Sequence, residues 1–412
     1  MYYALKQNIY LVKGAKYSCL YDFNSSKLYH LGSYLSDEIA MVNAGKVVVG
    51  FETAQEKEFF DMLMCENLLC IADKPNSNAI EEVKIEETGI DFAWIEITTK
   101  CNLRCIHCYN ESDAQCSEEM CIEDFKEVVD NLVGLNVSKI QLIGGEPFIN
   151  KPLLKEMLDY VIGKFQSIEI FTNGTLITQE WLEYLSENNI KIALSVYSYN
   201  SGDHDKVTGQ LNSWKKTNQV IESIHKLGIT YRVSNTIMKD VNIGEKNNNL
   251  YALSRKKDIV RMSGRANFSL LSDELIRQRL ITKETFQSPL RKALCQRIIS
   301  GHNCFRNRIY VATNKEVFPC VMERRLSHCI IDSHSGIRLN DDILNFSKDK
   351  IEGCRDCEYR YACFDCRPNS LSGEIFEKPR YCTYEPKTGI WFDVDDFIIE
   401  LKAKWGDGNT DI

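Results

Sequence analysis

The sequence predicts an α/β protein. Its centre reads as a partial (β/α)6 TIM-like barrel, with a small winged-helix-like domain before it and a cysteine-rich domain after it. Three observations predict this. Between residues 90 and 265, six short apolar runs alternate with amphipathic helical stretches. The first 80 residues read as short strands followed by two helices. Nine of the seventeen cysteines crowd between Cys295 and Cys382.

Composition bounds the function. A chain of 412 residues, 44% hydrophobic, can bury more than one core. A net charge of -8 gives no basic field to draw nucleic acid or an anionic membrane. The opening "MYYALKQNIYLVKGAKYS" lacks the parts of a signal peptide, and no apolar run reaches about 18 residues, so a cytoplasmic protein is expected. In that setting the cysteines are metal ligands or redox thiols rather than a disulfide framework.

The elements follow in order. Residues 1–80 contain "NIYLVKGAKYSCLYDFNSSKLYHL", strand-like runs with a hairpin turn at "NSS" (24–26). Two helical stretches follow, "SYLSDEIAMVNAG", closed by Gly45, and "TAQEKEFFDMLMCENLLCIAD". With 7 Lys, no Arg and 9 Asp plus Glu, this unit does not suit DNA; an open strand edge suits capture of an extended peptide. A polar linker occupies 81–89. The barrel domain, 90–285, carries strands at 92–98, 139–145, 167–174, 191–197, 230–238 and 258–264, with helices such as "CIEDFKEVVDNLVGLN" and "KPLLKEMLDYVIGKF" between them. Strand, helix, strand at this rhythm means parallel pairing by right-handed crossovers, with the site at the C-terminal strand ends. A cysteine domain at 286–385 and a helix or tail at 386–412 complete the chain.

Two motifs fall at those strand ends. "TTKCNLRCIHCYN" places Cys101, Cys105 and Cys108 after the first strand. Structural zinc takes four protein ligands, whereas three thiolates and an open position suit an iron-sulfur cluster that accepts an outside ligand. "QLIGGEP" ends the second strand, and its glycines let backbone and Glu146 come close to a cationic amine.

Together these residues resemble the radical S-adenosylmethionine (SAM) enzymes. The resemblance implies a [4Fe-4S] cluster on Cys101, Cys105 and Cys108, with S-adenosylmethionine on its open iron. It implies that His107 supports the adenine and that Gly144, Gly145, Glu146 and Pro147 bind the methionine amine. Thr172 and Asn173, in "FTNG", match the third-strand contact, and Ser195 matches a serine that bonds ribose or carboxylate. "HDKVTG" (204–209) departs from the family's pattern: Thr208 stands where a carboxylate-binding arginine is usual, and Arg232 or Arg265 is the expected substitute.

Further on, "CRDCEYRYACFDC" gives two CxxC pairs, Cys354/Cys357 and Cys363/Cys366, ahead of Cys382. One zinc ribbon needs fewer cysteines than this segment holds. The pattern resembles the SPASM domain of peptide- and protein-modifying radical enzymes, which implies two auxiliary [4Fe-4S] clusters. Cys295, Cys304, Cys320 and Cys366 would hold one, with Cys329 the spare for Cys295. Cys354, Cys357, Cys363 and Cys382 would hold the other. Lys315 replaces a glycine usual in "NKEVFPC", and the gap from Cys363 to Cys366 is one residue short of typical. Cys19, Cys65, Cys70, Cys116 and Cys121 read as plain thiols.

The resemblance extends to ribosomal-peptide maturases of the grasp-with-SPASM type, on "LVKGAKYSCLYDFNSSKLYH" and "VRMSGRAN". It implies a 5'-deoxyadenosyl radical that abstracts hydrogen from a precursor peptide and installs a thioether, C-C or ether crosslink or another modification. The general base is not identified. Implied partners are the precursor with its leader, a reductant such as flavodoxin or ferredoxin, and an ATP-grasp ligase. A sulfatase maturase is the rival enzyme, but Val321 stands where its base, an Asp, usually follows the cysteine. A cluster-bearing peptide-binding partner without catalysis is the alternative of another class.

Overall fold

The computed structural model describes residues 2–405 apart from 46–50, 52, 75, 86–88, 254–257, 333–334 and 371–373. The expected linker at 81–89 therefore lies partly outside the described residues, and the tail beyond 405 wholly so.

The N-terminal unit begins with β1 (Tyr2–Leu5), then an antiparallel sheet of β2 (Ile9–Lys13), β3 (Ser18–Asp22) and β4 (Lys27–Leu31). The β3–β4 turn is the expected one, with Asp22 accepting from the Asn24 and Ser25 amides and Ser26 at φ +59. Helices α1 (Ser33–Asn43) and α2 (Ala54–Cys65) follow. Thr53 and Glu56 close a capping box on α2, which fixes its start. The second helical stretch is shorter than expected. Asn67 takes φ +63, and Leu69–Ala72 leaves as strand β5, antiparallel to β1. Leu5, Leu20, Ile39, Phe60, Leu63 and Leu69 form the core of the unit.

The centre is an eight-stranded, mostly parallel sheet in the order β10-β9-β8-β7-β6-β11-β12-β13. Its strands are β6 (Phe92–Thr98), β7 (Lys139–Gly144), β8 (Ser167–Thr172), β9 (Lys191–Ser195), β10 (Tyr231–Ser234), β11 (Arg308–Val311), β12 (Glu316–Phe318) and β13 (Cys329–Ile330). Helices α3 (Ile122–Gly134), α4 (Lys151–Val161), α5 (Gln179–Glu187), α6 (Ser201–Thr208) and α7 (Ser213–Lys226) make the crossovers. Alternation assigns the faces. Ile95, Leu142, Ile170 and Ile192 are buried in one cluster with Phe125, Leu158 and Ile221 of the helices. Trp94, Gln141, Phe171 and Ser195, on the opposite face, line a cavity.

The sixth strand is not where the sequence places it. In 258–264 only Ile259 makes a bridge, to Ile237. The sixth parallel strand is β11, from far down the chain, paired with the outer edge of β6. Segment 258–264 keeps only that parallel bridge, with the Ile237 amide donating to Asp258 O at 2.7 Å and the Val260 amide to Ile237 O at 2.9 Å, before the chain meets the cysteine loop at Arg265.

After α8 (Asp273–Arg277) and α9 (Lys292–Ser300), the cysteine-rich region runs to a closing helix, Val394–Trp405. Lys315 occupies its unusual place with φ +66, and its ammonium pairs with Asp124 and Glu127 of α3 at 2.8 and 2.9 Å. Tyr10, Val12, Cys19 and Tyr21 of the N-terminal sheet pack against Leu294, Ile298, Tyr359 and Tyr384 of this region. No described helix is long and apolar enough to cross a membrane.

Candidate functional site

The cysteine loop leaves β6 at Thr98 and is gripped by three neighbours. From β7, the Gly145 amide donates to Thr98 O at 2.7 Å and the Glu146 amide to Lys100 O at 2.9 Å. Only glycine fits here: a Cβ on Gly144 would meet Thr98 O, and one on Gly145 would meet Lys100 O, each at 2.2 Å. From the end of α6, Val207 and Thr208 carbonyls accept from the Ile106 and Arg104 amides at 3.0 and 3.1 Å. From 264–265, the Arg265 amide donates to Cys108 O at 3.1 Å, and its guanidinium donates to Cys105 O and pairs with Asp113 at 3.1 Å.

Held this way, Cys101, Cys105 and Cys108 line one cavity of about 290 Å³. His107, Gly144, Gly145, Thr172, Asn173 and Ser195 line the same cavity, so most of the residues marked from sequence converge there. Glu146 and Pro147 do not line it. Glu146 is fully buried behind the wall, accepting from Thr172 Oγ1 at 2.7 Å, the Asn173 amide at 2.9 Å and the Phe148 amide at 3.1 Å. Its role here is to tie the ends of β7 and β8 together. The Asn173 side chain reaches back to Asn102 at 2.9 Å and to Cys101 Sγ at 3.9 Å.

Burial dominates the electrostatics. It pushes the Cys101 thiol far up, with Glu146 adding to the effect, and raises Cys105 to about 12, with Cys108 adding. Three crowded thiols in this setting become thiolates only beside a cation. Such a donor set, with room in front of it, fits a cysteine-ligated iron-sulfur cluster with one open position. Among the described residues no three His, Cys, Asp or Glu side chains draw together tightly enough for a single metal ion.

His107 sits edge-on to Tyr197, 4.8 Å between ring centroids. Burial lowers its pKa to about 4, which keeps the ring neutral. Tyr197 escaped the sequence reading. It lines the cavity with Ser195 and Cys105, and the signal was its place two residues beyond Ser195, on the same strand face. Arg261, Asp258 and Tyr109 were missed as well, and all three line the cavity. Neither expected substitute for the missing arginine is there. Arg232 is bound to Glu169 at 2.9 Å, and Arg265 braces the loop; Arg261 is the cation lining the cavity among the described residues.

The C-terminal cysteines fall into two groups. Cys354, Cys357, Cys363 and Cys382 surround one small cavity of about 20 Å³. Cys304, Cys320 and Cys366 form another group, in which Cys366 and Cys304 add to the burial that raises Cys320 to about 11. Cys295 does not join them. It lies on the α9 face turned to the N-terminal sheet, packed with Cys19 and Tyr21, and Arg291 is the charged group acting on it. Nor does Cys329, which sits in β13 opposite Val317 and accepts from the Arg338 amide at 3.4 Å. Val321, beside Cys320, lines the main cavity, so this group abuts it.

Residues 95–245, the stretch from β6 through β10 that carries the cysteine loop, match the Radical SAM superfamily. The chain is 37% identical over 185 residues to the antilisterial bacteriocin subtilosin biosynthesis protein AlbA of Bacillus subtilis, a match spanning 44% of this chain and 41% of that one. It is 22% identical over 345 residues to the AdoMet-dependent heme synthase of Methanosarcina barkeri, spanning 71% of this chain and 96% of the other. Among solved structures it shares the fold of Streptococcus suis SuiB, at a TM-score of 0.51 and 12% identity over 92% of this chain and 99% of that one. SuiB has also been solved bound to its precursor peptide SuiA.

Proposed function

We propose that this chain is a radical SAM peptide maturase acting on a ribosomally made precursor peptide. The observation that carries it is the convergence of Cys101, Cys105 and Cys108 with Gly144, Gly145, Thr172, Asn173 and Ser195 on one cavity. The likeness to AlbA and the fold shared with a protein that binds its precursor peptide support the substrate class. Cys101, Cys105 and Cys108 would hold an iron-sulfur cluster, which together with bound S-adenosylmethionine would supply a 5'-deoxyadenosyl radical.

The chain's own residues do the rest. Tyr197 and His107 form a neutral aromatic wall suited to the adenine. Gly144 and Gly145 bring backbone to the methionine amine, while Glu146 positions Thr172 and Asn173. Arg261 takes the carboxylate-binding place that Thr208 leaves open. The cavity walls exclude water from the reacting centre.

In this reading, β11 and β6–β10 form the partial barrel. The N-terminal strands and helices are a winged-helix-like leader-binding unit, and the edge of β4, paired only to β3 among the described residues, is where an extended peptide adds. The C-terminal cysteine groups are a SPASM domain with two auxiliary clusters. The chain works in the cytoplasm with a flavodoxin or ferredoxin reductant and an ATP-grasp ligase in the same pathway.

The test is anaerobic reconstitution with iron and sulfide, then an iron count and a 5'-deoxyadenosine assay with dithionite and S-adenosylmethionine. About twelve irons are expected, falling by about four in Cys101→Ala/Cys105→Ala/Cys108→Ala with loss of 5'-deoxyadenosine. No 5'-deoxyadenosine from the fully loaded wild type would sink the radical reading. Titration with synthetic precursor peptide then separates a peptide maturase, which binds it, from a small-molecule enzyme, which does not.

A further inference from the structure

The four cysteines around the small C-terminal cavity come from two segments. Cys354, Cys357 and Cys363 lie on one loop, and Cys382 comes just before the hairpin of β14 (Tyr384–Glu385) and β15 (Ile390–Trp391). Within the loop, backbone bonds close turns alone, the Cys357 amide donating to Cys354 O at 3.0 Å and the Ala362 amide to Tyr359 O at 2.9 Å. A stretch with neither helix nor strand must be ordered by what it packs against.

This loop packs against the N-terminal sheet. At the β2–β3 turn, "KGAKY" (13–17), the Ala15 amide donates to Asp356 O at 2.7 Å, and Lys13 O accepts from the Arg360 guanidinium at 2.7 Å. Gly14 comes so close that a Cβ on it would meet Glu358 Oε2 at 2.6 Å, Glu358 N at 2.8 Å and Asp356 O at 3.0 Å. From β3, the Tyr21 hydroxyl donates to Glu358 O at 2.9 Å and accepts from the Ala362 amide at 3.3 Å. The same turn reaches the hairpin that follows Cys382. The Lys16 ammonium donates to Thr388 O at 2.7 Å, and a Cβ on Gly389 would lie 2.2 Å from Tyr17 Cε2. Glu358, fully buried, joins all three parts: its Oε1 accepts from the Tyr384 hydroxyl of the hairpin at 2.5 Å and lies 3.4 Å from His30 Nε2 of β4.

We infer that the turn at 13–17 and Tyr21 are positioning elements of the C-terminal cysteine site, holding Cys354, Cys357 and Cys363 opposite Cys382 so that the four take up iron together. The inference rests on the auxiliary-cluster reading given above, and it gives the N-terminal unit a task separate from peptide capture. Contacts behind a ligand set orient the ligands and tighten metal binding. Here they tie the two ligand-bearing segments to one turn, so the loop is ordered by folding rather than by the metal.

The experiment uses the full chain, reconstituted anaerobically with iron and sulfide, and counts iron. The share belonging to this site is what Cys357→Ala/Cys363→Ala/Cys382→Ala loses, about four irons per chain. If that variant loses none, the auxiliary-cluster reading fails at this site, and the inference with it. Given that share, Gly14→Ala should lose it too, and adding Gly14→Ala to the triple variant should lose nothing further. Gly32→Ala, in the same unit but with nothing within 4 Å of the new Cβ, should keep full iron. Full iron in Gly14→Ala, or equal loss in Gly32→Ala, overturns the inference. Should Gly14→Ala lose iron beyond the share, its defect is general, and Tyr21→Phe decides, since it removes two hydrogen bonds and adds no atom. Loss confined to the share then supports the positioning role, and either full iron or general loss overturns it.

Discussion

Replacing Gly145 with alanine tests whether the strand-end glycines set the position of the cysteine loop. The added Cβ would lie 2.2 Å from Lys100 O, more than 1 Å inside the 3.4 Å at which ordinary contact begins, and 2.5 Å from the Lys100 carbonyl carbon. Both neighbours are backbone, so no side chain can swing aside. Overpacking of this kind costs roughly 1–3 kcal/mol. Parting the strands also breaks the amide bonds from Gly145 to Thr98 and from Glu146 to Lys100, at about 1 kcal/mol each. The total is about 3–5 kcal/mol, and the displaced residue, Lys100, immediately precedes Cys101. Gly145→Ala should therefore lower the urea midpoint of the apo chain and, after reconstitution, bind about four fewer irons than wild type. A full iron count with an unchanged midpoint would refute the idea that the glycines exist for this approach.

Arg265→Ala removes the brace on Cys105 O and leaves Asp113 without that partner; the urea midpoint of the apo chain should fall, with iron lost at the first site ahead of the C-terminal groups. At Lys315, φ +66 sets the side chain's ion pairs against backbone strain, so Lys315→Ala should be less stable than Lys315→Gly by about 1 kcal/mol, measured as urea midpoints. Burial lowers the His204 pKa from 6.5 to about 4, so its neutral ring contributes stability fully above pH 6.5 and loses it as pH falls towards 4. At pH 5 the loss is about 2 kcal/mol, and His204→Gln should flatten the stability profile of the apo chain by that amount between pH 7 and 5. Tyr197→Phe should keep its iron yet bind S-adenosylmethionine more weakly, because the cavity wall beside Ser195 loses its hydroxyl; unchanged affinity would remove Tyr197 from the site.

Much of the site was legible because its chemistry is written in short spacings. The cysteine loop, the Gly144–Gly145 pair, Asn173 and Ser195 are separated from one another by whole β-α units, yet each falls at a strand end and so at the same end of the sheet. The residues missed there, Tyr197 and Arg261, have no motif of their own. One is marked only by strand alternation, and the other by a segment whose strand character is not realised. Glu146 was placed in the right loop but on the wrong side of its wall, since sequence does not say which of two polar neighbours a carboxylate faces.

By itself the sequence determined the α/β class, β6 to its last residue, the helical crossovers and the cysteine groupings that rest on close spacing, because alternation, capping and loop length are local forces that act over a few residues. Only the tertiary structure decided that β11, rather than 258–264, completes the six parallel strands, that Leu69–Ala72 returns to β1, and that Cys295 turns toward the N-terminal sheet, away from Cys304, Cys320 and Cys366. Those choices depend on which distant edge or face offers more buried area and satisfied backbone, a competition settled only between segments already folded.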